Sequence, residues 1–384
     1  MIGVCVKYFH ENYGGMLQAY ATISMLEARG LNYELIQYEK RRSPVEIAKL
    51  IPRLLNGVLL NDKKEALVKK IGEKIHPRFS ENNAIRKRAF ENFKHKNFTK
   101  LSPVYVGYEE LCANSNRYSA IITGSDQLWS PAGLPTNYYN LMFVPDDIRK
   151  ISYASSFGVE QIPWYQNRRT ADYLKRIDFI SMREKHGSEI VERLTGRKVK
   201  TILDPVFNFD ESGWKKLIPV NKKVDEPYIF AYFLGANPQH RLSVNHLAAK
   251  TGLKIVVLPH LDQYVAADEK FGDIALYDVS PADFLNLLRG ADYICTDSYH
   301  GMCFSIIHRK KFMIFNRYCD SSKISKNSRI DSLCTELDLQ HRRYNGNNIM
   351  SILESIDYNS VYINLERLQR ITQEYLDRAF NGVF

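Results

Sequence analysis

The sequence predicts an α/β fold of two Rossmann-like domains facing each other across a cleft, and three observations lead there. A strand, a glycine turn, a helix and a second strand follow one another at the N-terminus. Further short apolar runs recur along the chain, most separated by helical periodicity and several ending on polar or small residues. A polar hinge, Pro219-Val220-Asn221-Lys222-Lys223-Val224-Asp225-Glu226-Pro227, then precedes a second series of the same kind.

The first unit is the strand run Ile2–Phe9, the turn Asn12-Tyr13-Gly14-Gly15, a helix with Met16, Tyr20, Ile23 and Leu26 on one face, and the strand Tyr33–Tyr38. Residues 43–100 interrupt the alternation. There Ile47, Leu50, Ile51, Leu54, Leu55 and Val58, then Leu67, Ile71 and Ile75, fall at helical spacing. Strands resume at Ser119–Thr123, Ile151–Ala154, Phe179–Met182 and Lys200–Leu203. In a parallel sheet their carboxyl ends share one edge, which gathers Gly124-Ser125-Asp126-Gln127, Ser155-Ser156, Arg183-Glu184 and Asp204-Pro205. Beyond the hinge, Tyr228–Phe233, Lys254–Leu258, Tyr293–Thr296 and Phe312–Phe315 read as strands, with helices near 238–250, 281–289 and 301–308. The expected domains are 1–218 and 219–360, with a final helix in 361–384 that crosses back to the first.

A chain of 384 residues, 45% hydrophobic and 25% charged, has material for two cores. The N-terminal segment lacks the features of a secretory signal, and no apolar stretch approaches a membrane span. Cys5, Cys112, Cys295, Cys303, Cys319 and Cys334 form no CxxC pair and no zinc spacing, so they read as reduced thiols in a cytoplasmic protein without a metal. The net charge of +10 is concentrated in residues 40–100, which hold 17 Lys/Arg against 6 Asp/Glu. Such a segment suits an anionic membrane surface, a phosphorylated substrate or nucleic acid; a solvated helical face is the plain alternative. Nucleic acid is disfavoured because exposed aromatics are not interleaved with the cations.

Proton chemistry is expected at Thr296-Asp297-Ser298-Tyr299-His300-Gly301, a strand-to-helix turn. Free N–H groups at a helix start attract an anion, Gly301 admits a ligand close to the backbone, and Asp297 or Ser298 can orient His300. A helix-capping histidine is the competing assignment. Arg183 at a strand end suits phosphate or carboxylate, or else a salt bridge with Glu184. Arg329 is a further candidate cation. Around Gly124-Ser125-Asp126-Gln127-Leu128-Trp129, the rings of Trp129, Tyr138 and Tyr139 suit the apolar face of a hexose and Asp126 and Gln127 its hydroxyls; a turn with a packed tryptophan fits equally.

These motifs, with Asn12-Tyr13-Gly14-Gly15-Met16-Leu17-Gln18, Tyr153-Ala154-Ser155-Ser156-Phe157-Gly158, Ser181-Met182-Arg183-Glu184 and Asp204-Pro205-Val206, stand in an order that resembles the polysaccharide pyruvyl transferase family over nearly the whole chain. The resemblance implies a GT-B-like fold. It also implies transfer of pyruvate from phosphoenolpyruvate to two sugar hydroxyls as a cyclic ketal, galactose 4,6 being the first guess, with no metal or redox cofactor. His300 and Arg183 become the catalytic pair. Arg183, Ser298, His300, Gly301 and Arg329 are assigned to the donor. Asn12, Gly14, Gly15, Gln18, Asp126, Gln127, Trp129 and Ser156 are assigned to the acceptor, with the first domain as the acceptor side and the second as the donor side. Some members carry an arginine where this chain has Ser298-Tyr299, and Arg329 or Lys311 is expected to replace it. The basic insertion then suits peripheral attachment at the inner membrane face, where a lipid-diphosphate-linked acceptor would reside. A glycosyltransferase using a nucleotide-sugar donor is the rival function.

Overall fold

A computed structural model describes residues 1–41, 60, 67, 69–131, 137–260, 262–317 and 328–383. Most of the apolar positions expected at 45–60 lie outside the described residues, as does Cys319; the five described cysteines are free thiols.

The first sheet is built from β1 (Ile2–Cys5), β2 (Tyr33–Glu39), β3 (Leu101–Val106), β4 (Ala120–Asp126), β5 (Arg149–Ser155), β6 (Phe179–Met182) and β7 (Lys200–Thr201). They pair in the order β3-β2-β1-β4-β5-β6-β7, all parallel. The second sheet has β8 (Tyr228–Tyr232), β9 (Lys254–Val257), β10 (Ile274–Ala275), β11 (Tyr293–Thr296) and β12 (Lys311–Ile314) in the parallel order β10-β9-β8-β11-β12. Each sheet reverses its winding once, between β1 and β4 and between β8 and β11. Ligands of doubly wound folds bind at the carboxyl ends of the strands flanking such a reversal.

Sequence periodicity overlooked β3. It is an edge strand whose run Leu-Ser-Pro-Val-Tyr-Val carries a proline, tolerated there because an edge strand leaves N–H groups unpaired. The helices that matter for the site are α1 (Tyr13–Ala28), α2 (Pro77–Asn97), α3 (Lys185–Thr195), α4 (Pro238–Thr251), α5 (Pro281–Gly290), α6 (Tyr299–Ile307), α7 (Ser328–Glu336) and α8 (Tyr358–Phe380). α1 is buried over most of its surface rather than along one face, because it lies between the two sheets. Its first residue, Tyr13, stacks on Phe284 of α5 at 4.9 Å and meets Tyr232 at 5.7 Å, which joins the domains through aromatic packing.

The insertion contributes α2, whose Phe79, Phe90 and Phe93 are buried against protein. Arg86 of α2 reaches across to Asp262 at 2.8 Å, and His76 stacks on Tyr264 at 3.6 Å. This part of the basic segment therefore braces the cleft. α8 starts at Tyr358 behind the cap Asp357, a little ahead of the expected segment 361–384, and runs back over the first sheet. Tyr375 Oη donates to Ser152 O at 2.7 Å, and Thr372 Oγ1 accepts from the backbone N–H of Leu203 at 3.2 Å.

The packing of α8 has a direct test. Leu376 has no exposed surface, so Leu376→Ala should cost about 2–5 kcal/mol by denaturant unfolding, whereas Ile363→Ala on the outer face should stay within about 0.5 kcal/mol. Equal costs at the two positions would refute this docking.

Candidate active site

The two winding reversals meet. The loop after β1, the end of β4, the turn after β8 and the start of α6 together line a recess of about 90 Å³ that Asn12, Asp126, Gln127, Leu234, Ser298 and His300 help to form. Arg317 and Arg329 enter the same recess.

At its base Asp204 is fully buried. Its Oδ2 accepts from Arg183 Nη1 at 2.8 Å, lies 3.0 Å from Ser125 Oγ and 3.5 Å from His300 Nε2. Burial pushes this carboxyl upward, but His300 and Arg183 outweigh it and hold the group down at about 2. Asp204 is therefore an anion through the physiological range. Its other oxygen caps the turn at Val206 N.

Arg183 has no side-chain exposure, and its second terminal nitrogen lies 3.4 Å from Asp126 Oδ1. Burial also raises the Asp126 carboxyl, yet Arg183, Lys7, His300 and Arg329 together hold it well below the usual range. Asp126 has φ +69°, a left-handed conformation that costs an ordinary side chain energy, and the preceding Gly124 passes so near Tyr153 O that a Cβ would sit 2.0 Å away.

Tyr299 occupies the place of the expected arginine. Its ring is within reach of two guanidinium groups, with Arg183 Cζ at 4.7 Å and Arg329 Cζ at 5.7 Å from the centroid. Arg329, from the start of α7, comes within 4.0 Å of Asp126, so it supplies the second cation from a different element. Burial, then Arg183, lowers the Arg329 pKa. Lys311 is excluded from this part: it begins β12 at the amino end of the sheet, where Nζ donates to Leu353 O.

His300 is wedged between the domains. A Cβ on Gly14 would stand 2.2 Å from His300 Nδ1, so the glycine in the first turn of α1 is required by the approach of the imidazole ring. Nε2 faces Asp204, which leaves Nδ1 on the α1 side.

The profile of polysaccharide pyruvyl transferases matches residues 12–318, a span that contains this whole cluster except Arg329. The chain belongs to that family. A search of curated proteins gives no match. Among solved structures, Arabidopsis thaliana UGT89C1 complexed with UDP-L-rhamnose is similar at TM-score 0.52 and 10% identity, over 98% of this chain and 97% of that one. UDP-GlcNAc 2-epimerase from Methanocaldococcus jannaschii aligns at TM-score 0.50 and 10% identity, over 97% and 99%. These likenesses concern the fold, which is GT-B-like.

Several sequence assignments change in this pyruvyl transferase fold. Asp297 does not orient His300: its two oxygens accept from Leu234 N at 2.6 Å and Gly235 N at 2.8 Å, fixing the turn after β8. Asp204 faces the ring instead. Ser298 caps α6 by accepting from Gly301 N, and Gly301 is small because Thr296 lies 2.9 Å from where its Cβ would be. Asn12 likewise caps α1 by accepting from Gly15 N at 2.8 Å, although it also lines the recess. Trp129 has no exposure, packs on Phe157 and Tyr173, and donates to Tyr139 O, so it is no sugar platform. Tyr138 is also core, donating to Ile36 O. Ser156 is sealed beneath the site, 2.8 Å from Glu184, whose carboxyl is raised by burial against the pull of Arg183 and Arg329. Gln18 is buried in α1 away from the recess. Asp126 and Gln127 line the recess, and Asp126 also faces Arg183 and Arg329. Among the described residues no group of His, Cys, Asp or Glu is arranged to hold a metal. Sequence reasoning passed over Asp204 as a partner of His300 and Arg317 as a wall of the recess; the Asp-Pro pair at a strand end was the available signal for the first.

Gly14→Ala should displace the imidazole and cost about 1–3 kcal/mol from overpacking, read by denaturant unfolding. A variant as stable as the parent, with unchanged His300 ring resonances, would show that the two groups are not in contact.

Proposed function

We propose that this pyruvyl transferase takes phosphoenolpyruvate as donor and joins its pyruvyl carbon to two hydroxyls of one sugar as a cyclic ketal. The observation that carries the reading is the cluster itself: His300 and Arg329 of the second domain line one recess, and Arg183 of the first stands behind it, joined to them through Asp204 and Asp126, in a chain of this family. His300 delivers a proton to the methylene carbon, making the central carbon electrophilic. A sugar hydroxyl adds there, the carbon–oxygen bond to phosphate breaks, and the neighbouring hydroxyl closes the ring. Of the two hydroxyl protons, one replaces the proton given to the methyl group and the other leaves with phosphate. Arg183 and Arg329 meet the charge of the donor and of the departing phosphate. The Tyr299 ring lies near both guanidiniums, and both face Asp126. Galactose through its 4- and 6-hydroxyls is the proposed acceptor, by family analogy.

The insertion supports a second element of this reading, attachment to an anionic membrane surface. In the helical residues 69–75 and at Leu67, an apolar stripe faces solvent: Leu67 is 59%, Ile71 47% and Ile75 65% exposed, at intervals of four. Lys70, Lys74 and Arg78 are exposed beside it. A stripe of this kind with flanking cations lies in a headgroup layer, and each cation adds about 1 kcal/mol. No helix among the described residues is long and apolar enough to cross a membrane.

Incubation with phosphoenolpyruvate and a galactose-terminated acceptor should release phosphate and yield a product heavier by one pyruvylidene group. His300→Ala should lower turnover by about 10²–10⁴-fold with the fold intact by circular dichroism. Release of uridine diphosphate from a nucleotide sugar, with no consumption of phosphoenolpyruvate, would replace this reading by glycosyl transfer. In co-sedimentation, vesicles with about one-third anionic lipid should retain the protein and release it near 1 M salt, roughly where screening reaches the length of a contact. Equal retention on neutral vesicles would exclude the electrostatic attachment.

A further inference from the structure

The recess at His300 is too small for more than the reacting groups, but it does not end there. Tyr299 is a wall shared with a second cavity of about 420 Å³, and Arg183 also lines it. That cavity in turn shares Glu160 and His186 with an open groove of about 920 Å³. The three lie in succession from the cluster over the start of α3, each sharing wall residues with the next, and so mark out a path.

At the far end stands Trp164. Its indole is 83% exposed, whereas the other two tryptophans, Trp129 and Trp214, have no exposure. Leaving so large an apolar ring in water is unfavourable unless a ligand covers it. The ring is also firmly presented. Pro163 fixes the chain entering the short 3-10 turn Trp164–Gln166, Tyr165 meets the indole edge-on at 5.9 Å, and Gln166 Nε2 donates to Pro131 O at 3.1 Å. Opposite charges alternate along the groove, with Glu160 and Glu189 against Arg193. Mixed charges beside a bare indole suit a neutral ligand rich in hydroxyls, whose C–H face stacks on the ring. A phosphate or a nucleic-acid strand would call for one sign of charge.

We propose that the enzyme binds its acceptor as a chain of sugars along this path, with Trp164 as the platform for a ring beyond the one that is modified. The proposal rests on the ketal-transfer reading only for which end of the chain reacts.

Trp164 reports on its own site, because acrylamide reaches it and not the two sealed tryptophans. The probes are galactose and galactose-terminated tri- and tetrasaccharides, added to the full chain without phosphoenolpyruvate. The longer saccharides should protect Trp164 from quenching and shift its emission to the blue, and galactose should do neither. Trp164→Ala should raise KM for the tetrasaccharide about tenfold, leaving kcat and the KM for galactose unchanged. Absence of protection by both longer saccharides at millimolar concentration, or an unchanged KM in Trp164→Ala, overturns the proposal. Protection without any consumption of phosphoenolpyruvate would keep the groove and refute the transfer reaction, so the two failures are distinguishable.

Discussion

Asp204 has no exposed surface, yet one of its oxygens lies within 3.5 Å of a serine hydroxyl, a guanidinium and an imidazole ring. Burying a carboxylate costs several kcal/mol, and only excellent geometry with several partners offsets that cost. The partners come from two other strand ends of the first sheet and from the second domain. The register of β4, β6 and β7, the position of α6 and the ionisation of the whole cluster are thus tied to one side chain. Without its charge, Arg183 would lose its shortest ion pair and keep the longer one to Asp126 at 3.4 Å.

The neighbouring Tyr299 shows how the chain accommodates a departure from the expected pattern. A cation at that position would have stood against Arg183 in a site without water to screen it. Tyrosine instead offers its π system to the neighbouring guanidiniums, and the second cation arrives from α7. Asp126, strained at φ +69°, is aimed at both.

Much of the framework was legible because parallel sheets write themselves as apolar runs ending in turn residues. Those runs also located Arg183, Asp204 and His300, since the ends of parallel strands share an edge by geometry. Side-chain orientation was another matter. Trp129 and Trp164 look alike in a sequence, but the first follows a central strand and points into the core, while the second sits on a proline-initiated turn. Polar residues at helix starts misled in a consistent way. Asn12, Asp297 and Ser298 satisfy backbone N–H groups, a local need that any helix or turn imposes and that mimics ligand-binding chemistry. β3 was lost to a proline that only its edge position permits, and α7 to a stretch too short for its period to show.

The contact between Gly14 and His300 joins residues 286 positions apart, one from each domain. Arg183, Asp126 and Asp204 sit on the first domain, His300 and Arg329 on the second. Neither half of this arrangement is complete alone, so assembly of the site and apposition of the domains are one event. Should the cleft widen, the imidazole would leave its carboxylate and the shared recess would vanish. An interdomain movement would therefore take the recess apart as a whole rather than one side chain at a time.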